Sequence, residues 1–183
     1  NALLLEKEFG GSVRRITAAS LKQSLARDAP KLRVRGKLII TRDRRDLQNE
    51  GAANSPVPVW IPAGLAFGTG SHATTAGCLR LLCDAANGRL PGSWRLADLG
   101  CGSGILAIGA AKLGATRIEA MDYDPNCVRI TKENAEANGC RDIAVKRRDV
   151  LKWKPRPEAY DVIGANLYSE VLIQAARVMA EAL

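Results

Sequence analysis

Aromatic side chains are scarce in this sequence, making up only 4% of 183 residues. That leaves little on which to stack bases and argues against a protein that reads single-stranded nucleic acid through aromatic platforms. Histidine occurs once, at His72, and none of the cysteines (Cys78, Cys83, Cys101, Cys127, Cys140) forms a C-x-x-C pair. An odd set of unpaired spacings argues against both a disulfide framework and a zinc site, and points to small buried or half-buried thiols in a reducing compartment. No apolar run reaches the length of a membrane span and no signal peptide is visible, so a cytoplasmic protein without membrane contact is expected. Acidic residues are outnumbered, 19 against 27 Lys and Arg, which gives a formal charge of +8. Such an excess suggests an acidic partner, most commonly nucleic acid or a ribonucleoprotein, or else a solvated basic face. The hydrophobic and charged fractions, 46% and 25%, are those of ordinary globular proteins, and the length suits one domain with an appendage.

The densest pattern is Arg95-Leu-Ala-Asp-Leu-Gly-Cys-Gly-Ser-Gly-Ile-Leu106, a short apolar strand running into a glycine-rich turn and then into an apolar helix. Gly100, Gly102 and Gly104 stand at alternate positions, where they permit positive φ or the close approach of a ligand. A dinucleotide fingerprint requires G-x-G-x-x-G. Here the pattern is D-x-G-x-G-x-G with Asp98 in front, an acid that would repel a pyrophosphate but suits the sulfonium and amino end of S-adenosylmethionine.

From Arg95 onward strand and helix alternate. The expected strands are Leu96 to Leu99, Arg117 to Met121, Ile143 to Lys146 and Tyr160 to Ala165; the expected helices run from Ile105 to Leu113 and from about Asn126 to Asn138. This order implies a parallel sheet with ligands at the carboxyl ends of its strands. Asp122, Asp149 and Asn166 all fall at such ends. Asp122 can accept from both ribose hydroxyls of a nucleoside, because Asp124 or Pro125 already serves the next helix as a cap. Asp149 is placed to meet an adenine amino group, or is an ordinary strand-end acid. Asn166 offers an amide oxygen where a methyl acceptor would enter, or is an ordinary turn residue.

Upstream, a helix is expected from Thr17 to Arg27, and Leu32 to Thr41 alternates apolar and basic residues as one half-exposed strand would. Arg42 to Asp46 and Gln48 to Pro56 read as a solvent-facing connection, and Val57 to Ile61 as a second strand kept at an edge by Pro58. Pro62 to Thr75 is a glycine-rich loop entering a helix. Thr69, Ser71, Thr74 and Thr75 could bind a carboxylate there, or Ser71 or Thr74 could simply cap the helix. His72 could be a base, but is expected to shape its loop. The amphipathic pattern from Ser169 to Leu183 stops with the chain, and the sequence opens on Asn1 without a methionine, so a fragment of a longer protein is expected.

These residues resemble class I S-adenosylmethionine-dependent methyltransferases and, among them, the PrmA family, which methylates a large-subunit ribosomal protein. Gly64-Leu-Ala-Phe-Gly-Thr-Gly-Ser-His-Ala-Thr-Thr75 is similar to that family's G-L-A-F-G-T-G-T-H-P-T-T. Leu99-Gly-Cys-Gly-Ser-Gly-Ile-Leu-Ala-Ile108, Met121-Asp-Tyr-Asp-Pro125 and Ala165-Asn-Leu-Tyr168 match its glycine loop, its I-D-I-D-P and its A-N-I-L. The resemblance implies an α/β, Rossmann-like doubly wound parallel sheet whose C-terminal strands are missing here, with a small N-terminal β/helix appendage. Residues 1–56 would be a linker or remnant of a substrate-recognition region with a basic strand, and 57–183 an S-adenosylmethionine-binding domain incomplete at its C-terminus. It further implies that Thr75, Gly100, Asp122 and Asn166 contact S-adenosylmethionine, joined in the residue reading by Asp98, Gly102, Gly104 and Asp149. Asn166 and Tyr168 would orient the acceptor, a lysine or N-terminal amine of the ribosomal protein, and the basic N-terminal strand with Arg33, Arg35 and Lys37 could contact ribosomal RNA. Two departures stand out: Ala73 replaces a proline, and Ser169-Glu170-Val171 replaces a small-residue turn with a proline.

Overall fold

A computed structural model of the chain describes residues 17, 31–49, 55–62, 72–88, 90 and 92–183. The helix expected from Thr17 to Arg27 and most of the loop from Pro62 to Thr75 lie outside the described residues.

The main sheet holds four parallel strands, β4 (Trp94–Leu99), β5 (Ala115–Asp122), β6 (Ile143–Arg147) and β7 (Val162–Ala165), in the order β6-β5-β4-β7. The sequence thus steps outward from β4 through β5 to β6 and then returns to the other side of β4 for β7. That reversal opens a crevice between the carboxyl ends of β4 and β7, the usual place for a ligand in an open parallel sheet. The expected strands are all present, β4 and β5 being longer at their amino ends and the fourth starting two residues later than expected, at Val162.

Both faces of the sheet are covered at its centre, where β4 is buried along most of its length, while the edge strand β6 is largely exposed. Leu96, Ile118 and Ala120 pack on one side with Leu79, Ile105 and Ile108; Ala97, Leu99 and Met121 pack on the other with Trp153, Tyr160 and Ala175. The first side is carried by α1 (Ala73–Ala86), α2 (Ile105–Lys112) and α3 (Pro125–Ala137), the second by α4 (Ser169–Ala182). Helix α2, Ile-Leu-Ala-Ile-Gly-Ala-Ala-Lys, is apolar around its whole circumference because it is enclosed: the sheet lies on one side of it and a second, smaller sheet on the other. Asp124 caps α3 by accepting from the Asn126 N–H at 2.8 Å, and Pro125 occupies its first position, as expected.

The small sheet corrects one expectation. Leu32 to Thr41 is not one strand but a hairpin of β1 (Leu32–Val34) and β2 (Leu38–Thr41), joined by the three residues Arg35-Gly36-Lys37, the first two at positive φ. The alternation of apolar and basic residues runs on through the turn, so the pattern alone gave no sign of it. Strand β3 (Val57–Trp60) pairs parallel with β2 and lies at the edge, where Pro58 is tolerated. A division of the chain after residue 56 would therefore run between two paired strands. The edge of β3 is closed by Asn138, whose side chain accepts from the Trp60 N–H and donates to the Trp60 carbonyl, both at 2.8 Å. Arg42 to Asp46 is also more ordered than a plain connection: a 3-10 turn covers Arg44–Asn49, and Arg44 lies over the Trp60 ring. All the cysteines are free.

Candidate functional site

The crevice between β4 and β7 is built first from the loop Gly100 to Gly104. Gly100 and Cys101 donate to the Met121 carbonyl at 2.8 and 3.0 Å, which ties the loop to β5. Gly100 and Gly104 have φ of 70° and 80°, and a Cβ on Gly100 would run into the Leu167 side chain while one on Gly104 would meet Thr131 at 2.8 Å. Glycine is therefore required at both positions by backbone and by space.

Asp122, at the end of β5, holds the loop as well. Its Oδ2 accepts from the Gly102 N–H and its Oδ1 from the Asp124 N–H, each at 3.0 Å. A carboxylate has about four acceptor positions, so two remain for a ligand. Asp98 is 1% exposed and lies beneath the loop, where its Oδ2 accepts from the Ala107 N–H at 3.0 Å. Ala107 is the third residue of α2, and the residue at the cap position is Gly104, which has no side chain. Asp98 thus acts as an N-cap supplied from the neighbouring strand. Burial pushes its carboxyl up to about 7, against the pull of the Ala107 N–H and with a smaller push from Asp122. A buried acid held by one N–H is a fitting neighbour for a cationic ligand.

Helix α3 contributes two residues that sequence reasoning missed. Thr131 donates to the Gly102 carbonyl at 3.0 Å, and Asn134 donates to the Ser103 carbonyl at 2.8 Å; both side chains are buried. With Asn138 they form a polar row at helical spacing on the buried side of an amphipathic helix. That row of polar residues where apolar ones belong was the available signal.

On the other side of the crevice, Asn166 at the end of β7 donates through Nδ2 to the Thr75 hydroxyl at 3.1 Å. Thr75 is 1% exposed, on the first turn of α1. The amide nitrogen is thereby engaged and Oδ1 is left on the other side of the group. Leu167 follows and packs on Gly100, so the segment after β7 rests on both the glycine loop and α1.

The remaining candidates are placed differently. Tyr168 is 82% exposed and stands at the start of α4 without capping it through its side chain. Asp149 caps a 3-10 turn, Val150–Lys152, by accepting from the Leu151 N–H at 3.0 Å. The capping of α1 needs correction: the cap is His72, whose ring nitrogen meets the Thr74 N–H at 3.4 Å and its hydroxyl at 2.7 Å. Burial raises the thiols beside the loop; Cys127 is pushed up to about 11 and Cys101 higher, which leaves both protonated near neutral pH. Among the described residues no group of His, Cys, Asp and Glu is arranged to hold a metal ion.

A parallel sheet with this strand reversal, a D-x-G-x-G-x-G loop and an acid at the end of the following strand define the Rossmann-like methyltransferase class. Solved structures agree: a ribosomal protein L11 methylase from Lactobacillus delbrueckii subsp. bulgaricus has a TM-score of 0.67 and 28% identity, over 84% of this chain and 75% of that one. The family described as ribosomal protein L11 methyltransferase (PrmA) matches residues 28–183, and the chain belongs to it. Curated relatives include the ribosomal protein L11 methyltransferases of Alteromonas mediterranea, 44% identical over 71% of this chain and 41% of that protein, and of Salmonella newport, 42% identical over 72% and 42%. The chain therefore spans about two fifths of the length of these relatives.

Proposed function

We propose that the protein transfers methyl groups from S-adenosylmethionine to lysine or N-terminal amines of ribosomal protein L11, in the cytoplasm. The observation that carries this reading is the meeting, at one crevice, of the glycine loop braced by Asp122 with an Asn166 amide held by Thr75. Membership of the family supplies the acceptor.

The sulfonium donor supplies an activated methyl group. The chain itself positions and desolvates. Gly100, Gly102 and Gly104 offer open backbone, Asp122 has two acceptor positions for ribose hydroxyls, and Asp98 places beneath the loop an acid that a bound cation draws into its charged form. Asp149, its Oδ1 already on its own turn, is the weakest of the proposed cofactor contacts. Asn166 directs Oδ1 at the N–H of the incoming amine, and the exposed Tyr168 flanks the entrance. A lysine must first lose a proton, which costs about 4 kcal/mol at about pH 7.5. Desolvation of the amine in the crevice lowers that cost. Methyl transfer then needs little beyond alignment and exclusion of water. Of the three cations of the hairpin, Arg35 is paired with Asp84 at 2.8 Å, which leaves Arg33 and Lys37 for the expected ribosomal RNA contact.

The test is transfer of labelled methyl groups from S-adenosylmethionine in a ribosome-rich lysate, with the product divided between protease and ribonuclease. Label lost to protease and resistant to ribonuclease supports a protein acceptor, and mass spectrometry of the labelled band identifies it. Label lost to ribonuclease overturns the acceptor assignment.

A further inference from the structure

The strongest concentration of charge begins at the end of β6, where the Arg148 N–H donates to the Asp122 carbonyl at 2.9 Å, and continues along the connection that follows. Between residues 146 and 156 six of eleven positions are basic: Lys146, Arg147, Arg148, Lys152, Lys154 and Arg156. The first two end β6, an edge strand of the main sheet, and the others follow along its flank.

Lys146 and Arg148 stand two residues apart on one side of the strand, and both reach Glu119 of β5, at 2.7 and 3.4 Å. One acid between two cations leaves positive charge in excess. Beyond the 3-10 turn the segment Lys152-Trp-Lys-Pro-Arg156 alternates strictly. Trp153 is 3% exposed and packs against Tyr160 with ring centroids 5.8 Å apart, while Lys152, Lys154 and Arg156 point outward. Pro155 and Pro157 restrict the chain on either side of Arg156. Lys152 is 84% exposed with Asp149 3.9 Å away, and Lys154 and Arg156 form no ion pair among the described residues. The entropy of ordering this row is thus met in folding, through the buried tryptophan, rather than on binding.

We propose that this flank is a binding track for the phosphate backbone of RNA. A protein partner would require apolar or aromatic anchors at the centre of the patch. Within the run itself only Leu151 is exposed, at 47%, and its one tryptophan faces inward; the single exposed aromatic bordering it is Tyr123, whose carbonyl accepts from Arg147 Nε at 3.2 Å. A succession of outward cations with little apolar surface between them matches a polyanion, whose affinity comes from counterion release rather than from burial. The choice of RNA over other polyanions rests on the proposed ribosomal acceptor, whereas the track itself does not depend on methyl transfer.

The experiment measures binding of a fluorescein-labelled RNA hairpin to the full chain by anisotropy across a salt series. It compares the wild type, Lys152→Gln/Lys154→Gln/Arg156→Gln, and Arg33→Gln/Lys37→Gln on the hairpin between β1 and β2. The triple variant should lose on the order of 10–100-fold in affinity at about 0.1 M salt, and its slope of log K against log salt should become shallower by about 2. The hairpin variant should lose less. Unchanged thermal unfolding of both variants shows that the fold survives. Equal affinity and slope in the triple variant, a larger loss in the hairpin variant, or binding to poly-glutamate or phosphatidylserine vesicles but not to RNA overturns the proposal. Since no methyl transfer is read, such a result leaves the proposed activity standing, and loss of activity with intact RNA binding leaves the track standing.

Discussion

Thr75→Val tests the crevice at its most specific contact. Valine has nearly the shape of threonine, so the packing of α1 is kept while the hydroxyl that accepts from Asn166 Nδ2 at 3.1 Å is lost. Thr75 is buried, so water does not readily replace it. The amide then either leaves an N–H without a partner, at about 1–3 kcal/mol, or rotates and carries Oδ1 away from the acceptor amine. If that energy is spent on orientation, turnover falls by roughly 5–150-fold. Thr75→Ser retains the oxygen and should recover most of the rate. Because Thr75 is also a proposed cofactor contact, calorimetry with S-adenosylmethionine must accompany the kinetics. In a double-mutant cycle, Thr75→Val should add little to the loss of kcat already caused by Asn166→Ala. Full turnover in Thr75→Val, or losses that simply add, would refute the idea that Thr75 works by orienting Asn166.

Three further outcomes are expected. Gly100→Ala places a Cβ at φ 70° against Leu167, so it should destabilise the chain by about 1–3 kcal/mol in urea unfolding, with part of the loss recovered in Gly100→Ala/Leu167→Ala. Asp98 titrates at about 7 when folded, against 3.8 for an ordinary carboxyl, so the folded state holds its proton longer and the stability of the ligand-free protein should fall as pH rises from about 4 to about 7. Asp98→Asn should flatten that dependence and raise stability above pH 7 by about 2–4 kcal/mol, while weakening cofactor binding; unaltered pH dependence would contradict this. Asn138→Ala removes both hydrogen bonds to Trp60 and should lower Tm by roughly 5–10 °C in calorimetry.

What was legible in the sequence was mostly local. Strand, glycine turn and helix from Arg95 to Ile108 follow one another without interruption, and Asp124-Pro125 marks a helix start by chemistry that needs no partner elsewhere. The hairpin at Arg35 was hidden because an arginine takes positive φ there and the alternation continues through the turn. His72 was overlooked as a cap because serine and threonine beside it cap more often. Thr131 and Asn134 were missed since their partners are loop carbonyls about thirty residues away. Thr75 is marked by its place at a helix start and Asn166 by its place at a strand end, and the family resemblance adds to both, yet nothing in the sequence says that residues 91 apart share a hydrogen bond. Asp98 shows the same limit from the other side: the motif identifies the acid, but only the fold reveals that it caps α2.

The most direct measurement is calorimetric titration of the full chain with S-adenosylmethionine and, separately, with NAD, repeated on Asp122→Ala. A cofactor site in the crevice requires one-to-one binding of S-adenosylmethionine, none of NAD, and a loss of about tenfold or more in the variant, the worth of charged hydrogen bonds to ribose. Absence of S-adenosylmethionine binding, or binding that Asp122→Ala leaves intact, would contradict the assignment of this crevice.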